Sequence, residues 1–132
     1  MPPYDARRFF PPAPIALVTL RNPETGAASA DVPMLLDTGA DATLLPGSVM
    51  TNLGVAFLTD KSYELSGYEG QTSLAYAVRA EMVFLGLTFR GQYLIIEQDW
   101  GIIGRNVLNS LSLTFDGPRL TWDRGPAASP QT

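Results

Sequence analysis

A mainly β fold in a single domain is what this sequence predicts, and three observations carry that reading. Proline and glycine number 11 and 12 among 132 residues, which favours turns and short strands over long helices. Short β-rich runs recur between turn signals along the whole chain. Helical patterning is confined to two short segments, 46–54 and 105–111. Hydrophobic residues make up 45% of the chain, enough for one core of ordinary domain size.

The elements follow in order. "MPPYDARRFFPPAP", residues 1–14, reads as a Pro-rich flexible arm rather than a docking strand, because prolines at 2, 3, 11, 12 and 14 interrupt any long ladder. "IALVTL", 15–20, is a strand that ends at the turn signal "RNPETG". "ADVPMLL", 30–36, is its return strand, with Pro33 at an edge or bulge since it has no N–H to donate. In "PGSVMTNLG", Pro46 suits a first helical turn and Gly54 a C-cap. Two further runs are joined by "SGYEG", 66–70, whose two glycines mark a hairpin tip. "LGL", 85–87, is another turn, and "TFRGQYLII", 88–96, the strand after it. "GIIG", 101–104, is a short apolar run leading into the helical "RNVLNSL". "SLTF" and "RLTW" flank "DGP" as a last hairpin. The division expected is an arm over 1–14, one domain over 15–124 and a flexible tail over 125–132. No internal repeat or second domain is visible.

Composition removes whole classes of chemistry. There is no Cys, hence no disulfide, thiolate nucleophile or zinc-thiolate site, and no His, hence no histidine base or Ser-His pair. No metal site and no cofactor are expected. The net charge is −4, and the nine basic residues are scattered, with Lys61 the one lysine. Neither a nucleic-acid partner nor an anionic membrane surface suits that pattern. The first residues lack an apolar signal-peptide core, and no window has the length of a membrane-spanning helix, so a cytoplasmic protein is expected. Any acid–base chemistry must come mainly from carboxylates, Lys61, Tyr or Ser. Lys61-Ser62 lacks the glycine of a phosphate-binding loop, and Gly47-Ser48 lacks the second glycine of a nucleophile elbow.

One stretch then stands out. "MLLDTGADATLLP", 34–46, sets Asp37 and Asp41 inside an apolar run. A carboxylate in such a place is costly unless something compensates it. Leu35-Leu36-Asp37-Thr38-Gly39-Ala40-Asp41-Ala42-Thr43 resembles the active-site loop of retropepsin-like aspartic proteases. Ile102-Ile103-Gly104-Arg105-Asn106-Val107-Leu108 resembles that family's second signature, and the Gly-rich hairpin between them resembles its flap. The resemblance covers roughly residues 15–123.

What the resemblance implies is specific. The fold would be a retropepsin-like closed β-barrel with a flap hairpin and a short C-terminal helix. The activity would be that of an aspartic endopeptidase cutting extended polypeptides with apolar residues near the cut. Two carboxylates about 3 Å apart cannot both ionise readily, so they share one proton; one then serves as base toward water, the other as acid toward the carbonyl oxygen. This chain carries one Asp-Thr-Gly, so the dyad needs Asp37 from two copies and a homodimer with its site on the two-fold axis. Thr38 would interlock across that axis, and Gly39 would let backbone approach the acid. Leu35, Trp100 and Ile102 would wall subsites, and Ile103 would lie in the core. Asp41 would meet substrate backbone and pair with Arg105, which would brace the loop from behind together with Ala40. Ser66, Gly67, Tyr68, Glu69 and Gly70 would form the flap tip, with Tyr68 closing over bound peptide. "RLTW", 119–122, would be a terminal strand in an interleaved sheet of chain ends. The competing reading is a catalytically silent dimer of the same fold that binds peptide or serves assembly; the intact Asp37-Thr38-Gly39 favours the enzyme.

Ala40 offers no hydroxyl where pepsin-like enzymes place Ser or Thr, so one hydrogen bond that favours the charged acid is missing. Activity is therefore expected to peak in mild acid, at roughly pH 4 to 7. A pH–rate profile with its maximum well below that range counts against this reasoning.

Overall fold

The computed structural model describes residues 1–66 and 72–125, with side chains for 1–58 and 76–125. The chain runs β1 (Tyr4–Asp5), β2 (Ala13–Arg21), β3 (Ala28–Leu36), β4 (Leu44–Pro46), α1 (Gly47–Asn52), β5 (Phe57–Ser66), β6 (Thr72–Phe84), β7 (Leu87–Ile96), β8 (Gly101–Ile103), α2 (Arg105–Leu108), β9 (Leu113–Asp116) and β10 (Thr121–Arg124). The mainly β class is what composition and patterning predict, and both helices lie within the two segments where helical patterning stands.

Strand order β2-β3-β8-β4-β7-β6 closes on itself, because β6 returns to pair with β2 through Thr19↔Val83, Leu20↔Met82 and Arg21↔Glu81. The result is a barrel of six strands. Closure removes sheet edges that would otherwise solicit pairing. The β2–β3 ladder slips between Val18 and Leu20, opposite Asp31, which takes a positive φ of 56°. That bulge bends the pair just before Pro33, and the parallel ladder to β8 begins one residue later at Met34. The β6–β7 hairpin turns on Leu85 and Gly86, both at positive φ (53° and 76°), the requirement of a two-residue turn matched to strand twist.

Alternation along the strands decides what the barrel contains. Val18 and Leu20 of β2, Val32, Met34 and Leu36 of β3, and Ala80 and Met82 of β6 point inward and are buried. Met50 of α1 and Val107 and Leu108 of α2 plug the remaining gaps. Leu35, between Met34 and Leu36, is only half-buried, so β3 delivers one apolar face to the core and the other to the outside.

Residues 1–14, expected as a flexible arm, are instead seated on the body. β1 pairs with β2 through Tyr4↔Pro14 and Asp5↔Ala13. Pro3 bridges Thr121; the Tyr4 N–H donates to the Leu120 carbonyl (2.7 Å), and the Trp122 N–H to the Pro2 carbonyl (3.0 Å). Prolines prevent a long ladder here, but this arrangement needs only isolated bonds. β10, which runs to Arg124 rather than ending at Trp122, is thereby bonded to its own chain's arm. Trp122 anchors the arrangement: it is 2% exposed, its Nε1–H donates to the Ile15 carbonyl (3.0 Å), and its ring packs on Phe84. Losing a buried Trp side chain typically costs about 3–5 kcal/mol.

Asp5 holds the arm's bend. Its Oδ1 accepts the Arg7 and Arg8 N–H groups (2.8 and 2.9 Å), and its Oδ2 meets Arg8 Nη1 at 2.6 Å. The Arg8 backbone bond leads the causes that hold the Asp5 carboxyl below its ordinary value of 3.8, against an opposing desolvation. A carboxyl lowered by folding stabilises the fold above its unfolded pKa, and that stabilisation is lost as pH falls through the folded value. Asp5→Asn is therefore expected to speed hydrogen exchange at the Arg7 and Arg8 amides at pH 7. The gap between variant and parent should close once the pH drops below 3.8 and through the lowered value. A gap that persists unchanged in strong acid would show that the carboxylate is not the anchor.

Candidate active site

β3 ends at Leu36, and Asp37 is the first residue of the loop that follows. The half-buried Asp37 is fixed at its backbone by donation from its N–H to the Ile103 carbonyl of β8 (3.1 Å). The loop then folds back on its own acid. The Gly39 N–H donates to Asp37 Oδ1 (2.9 Å), and the Ala40 N–H to the Asp37 carbonyl (3.2 Å). A Cβ at position 39 would stand 3.1 Å from Asp37 Oδ1, tighter than an ordinary contact, so glycine keeps this turn free of strain. One carboxylate oxygen is thus held by backbone.

The loop is buttressed by the turn between β8 and α2. The Arg105 N–H donates to the Ala40 carbonyl and Arg105 Nη1 to the Thr38 carbonyl, both at 2.8 Å. Thr43 is 1% exposed, and its hydroxyl works twice: it donates to Asn106 Oδ1 (2.7 Å) and accepts the Gly104 N–H (3.1 Å). Gly104 lies so close to this loop that a Cβ there would collide with the Ala42 and Ala40 carbonyl oxygens. The parallel register Leu35↔Ile102 and Leu36↔Ile103 sets the two segments side by side. Leu35 and Ile102, both half-buried, make a paired apolar ledge at the approach to Asp37, while Ile103 is in the core as expected.

Most of the residues named from sequence are therefore brought together: Leu35, Asp37, Thr38, Gly39, Ala40, Ile102 and Arg105. One pairing is not. Arg105 is directed to the Thr38 carbonyl, and among the described residues the ion pairs are Arg8–Asp5, Arg90–Glu81 and Arg119–Asp116, with Arg105–Asp41 not among them. Asp41 and Arg105 are both exposed, where an ion pair gains little over solvation, and a carbonyl within reach is a competitive acceptor. Arg105 still braces the loop, through backbone. Trp100 is half-buried, and its ring meets Phe9 of the arm edge-on, centroids 4.8 Å apart. Of the expected flap, β5 and β6 pair as far as Ser66↔Thr72. Gly67, Tyr68, Glu69 and Gly70 lie outside the described residues, as does the Ser66 side chain.

Sequence reasoning assigned no role to Thr43 or Asn106, although both stand inside the quoted motifs. The available signal was Thr43 itself, a hydroxyl at the start of a buried apolar run, which must find partners. A second feature was also missed: a hollow of about 180 Å³ lined by Thr38, Leu108, Asn109, Leu111, Leu113 and Phe115, opening beside the acid-bearing loop.

Comparison with known proteins agrees with this geometry. Residues 14–116 match the family model for the retroviral aspartyl protease. Among solved structures, EIAV protease complexed with the inhibitor HBY-793 superposes with a TM-score of 0.55 at 20% identity, covering 74% of this chain and 86% of that one. No curated protein matches the chain.

Thr43→Val keeps the side chain's shape but strands the buried Gly104 N–H and removes the bond to the exposed Asn106. It is expected to lower the unfolding free energy by about 1–3 kcal/mol, the cost of one unsatisfied buried group, in urea denaturation. Thr43→Ser should recover most of that loss. Equal stability of the valine and serine variants would remove the hydroxyl from its linking role.

Proposed function

This chain belongs to the retroviral aspartyl protease family, and from that premise we propose that it is an aspartic endopeptidase, active as a homodimer, in which Asp37 of two copies activates one water. The observation that carries the reading is the Asp37 loop. An acid at the exit of a core strand has one carboxylate oxygen held by the Gly39 N–H and its backbone locked to β8, in a chain that has no His and no Cys to act instead.

The chemistry follows from the pair. One carboxylate accepts a proton from water as the oxygen attacks the scissile carbonyl carbon; the other delivers its proton to the carbonyl oxygen. The tetrahedral diol then collapses, the C–N bond breaks and the departing nitrogen takes up a proton. The products are one carboxyl and one amine, and the dyad regains its shared proton. Held geometry lets the two acids do this without a covalent intermediate. The loop's bonds to Ile103 and Arg105 supply that rigidity on each side. Leu35 and Ile102 present apolar surface next to the acid, which suits extended substrates with apolar residues around the cut. Asp41, exposed at the rim, is available to substrate N–H groups. The strands β5 and β6 would carry the flap over the bound chain.

Incubation with an unstructured polypeptide tests this directly. Asp37→Asn is expected to reduce cleavage by at least about 10²–10⁴-fold, the range of a general acid–base contribution, and pepstatin should inhibit the parent. Specific activity should also rise with protein concentration until the dimer saturates. Cleavage that survives the substitution removes the proposed chemistry; a parent as inactive as the variant leaves the peptide-binding module.

A further inference from the structure

A larger hollow lies between the arm and the barrel, away from the candidate active site. Its volume is about 650 Å³, and none of its lining residues belongs to the Asp37 loop, β8 or α2. The floor is Ile15, Ala16, Phe84 and Trp122, all buried. Leu17 stands at the open side, 63% exposed, and a large apolar side chain in that position marks a binding surface. Leu85 walls the hollow from the β6–β7 turn, at a φ of 53°. The first position of such a turn suits Asn, Asp or Gly, and leucine is strained there. What leucine contributes instead is apolar surface, toward the core and toward the hollow. A hollow of this size lies within the roughly 300–1,000 Å³ of small-molecule sites, which are mostly apolar with a few placed polar groups.

The polar groups at the rim select the ligand. Asp5 and Arg8 line the hollow but are engaged with each other and with the arm's bend. Arg7 also lines it and is exposed. Its guanidinium is in none of the ion pairs among the described residues, although the chain has more acids than bases. Backbone donors around the hollow are taken. Pro2 and Pro3 have no N–H, the Tyr4 N–H donates to Leu120, and the Arg7 and Arg8 N–H groups donate to Asp5. The Trp122 indole N–H donates to Ile15. A peptide laid here would bury carbonyls without partners, whereas an aliphatic chain needs none. We propose that this hollow binds an aliphatic monocarboxylate of the fatty-acid class, its chain along Ile15, Leu17 and Leu85 and its carboxylate on the Arg7 guanidinium. An arginine fork matches a carboxylate with two parallel hydrogen bonds. The site stands apart from the proposed peptide chemistry, and its test reads binding alone.

Calorimetric titration of the full chain with decanoate at pH 7, below its micelle concentration, is expected to show saturable binding of one ligand per chain. Arg7→Gln should weaken decanoate about 10-fold or more, the size of a lost bond to a charged group, and leave decanol unchanged. Leu85→Asn should weaken both ligands about 10-fold, while the thermal midpoint of the free protein stays level or rises because asparagine suits the turn. Leu17→Gln alters an exposed side chain, so it keeps the fold and should also weaken both ligands. Decanoate should slow hydrogen exchange at the Tyr4, Arg7 and Arg8 amides of the parent. No saturable binding, or equal decanoate affinity in the parent and all three variants, overturns the site. Decanol losing as much as decanoate in Arg7→Gln removes the guanidinium as the anchor and overturns the carboxylate. An acetylated tripeptide ending in leucine that binds as tightly as decanoate overturns the aliphatic ligand in favour of a peptide C-terminus.

Discussion

A buried hydroxyl lies at the centre of the bonds that hold the two halves of the site together. Thr43 Oγ1 donates to Asn106 and accepts from Gly104, so the loop that carries Asp37 and the turn that opens α2 share one hydrogen-bonded joint. The joint works because everything around it is tight. Gly104 has no Cβ, so its backbone can press against the Ala40 and Ala42 carbonyls, and the Arg105 N–H can then reach Ala40. Remove the hydroxyl and the buried Gly104 N–H is left without its acceptor, while the exposed Asn106 can turn to water. In low dielectric an unpaired group costs more than a bond returns, and this asymmetry makes the joint specify one geometry.

The barrel exists to deliver that joint. Parallel pairing of β3 with β8 aligns Leu36 with Ile103, so the two chain segments leave the barrel at the same level. Asp37 and Gly104 then follow at matched heights. β4 continues the scheme by pairing with both β8 and β7, which returns the loop to the core at Leu44 and Leu45. A carboxylate that seemed out of place in an apolar run is thus at an exit from the core, half-buried and bonded by backbone. The cost of burying it is offset by the Gly39 N–H before any partner arrives.

How far the sequence discloses this depends on how local each interaction is. The Asp37–Gly39 turn was legible because its chemistry is contained within three residues of distinctive type. The barrel strands were legible from alternation and turn residues, since the burial pattern of β3 repeats what "MLL" already says. Arg105 donates to the Thr38 carbonyl, not to the Asp41 carboxylate expected from sequence. Opposite charges are visible in a sequence, whereas the direction of the Thr38 carbonyl is set by the turn. The docked arm was illegible for a different reason. Counting prolines measures the obstacle to a ladder, yet Tyr4, Asp5 and Phe9 bind through one short pairing, one charged cluster and one ring contact, none of which needs a ladder. The hollow at Thr38 joins residues more than seventy positions apart, so no window of sequence contains it.

The arm's placement also bears on how a second copy would be accommodated. With Pro2 to Tyr4 bonded to β10 in the same chain, Trp122 is already 2% exposed, and the core closes without help from outside. An exchange of chain ends between copies would have to open those bonds and loosen the cover over Trp122 before gaining equivalent ones. The strand β9 is short, four residues, and Asp116 stands at its end with Arg119 bonded to it. Short strands with a charge at the margin resist open-ended aggregation. Under the proposed dyad mechanism one copy carries half of the chemistry, so protein concentration, rather than folding, would set when it turns on.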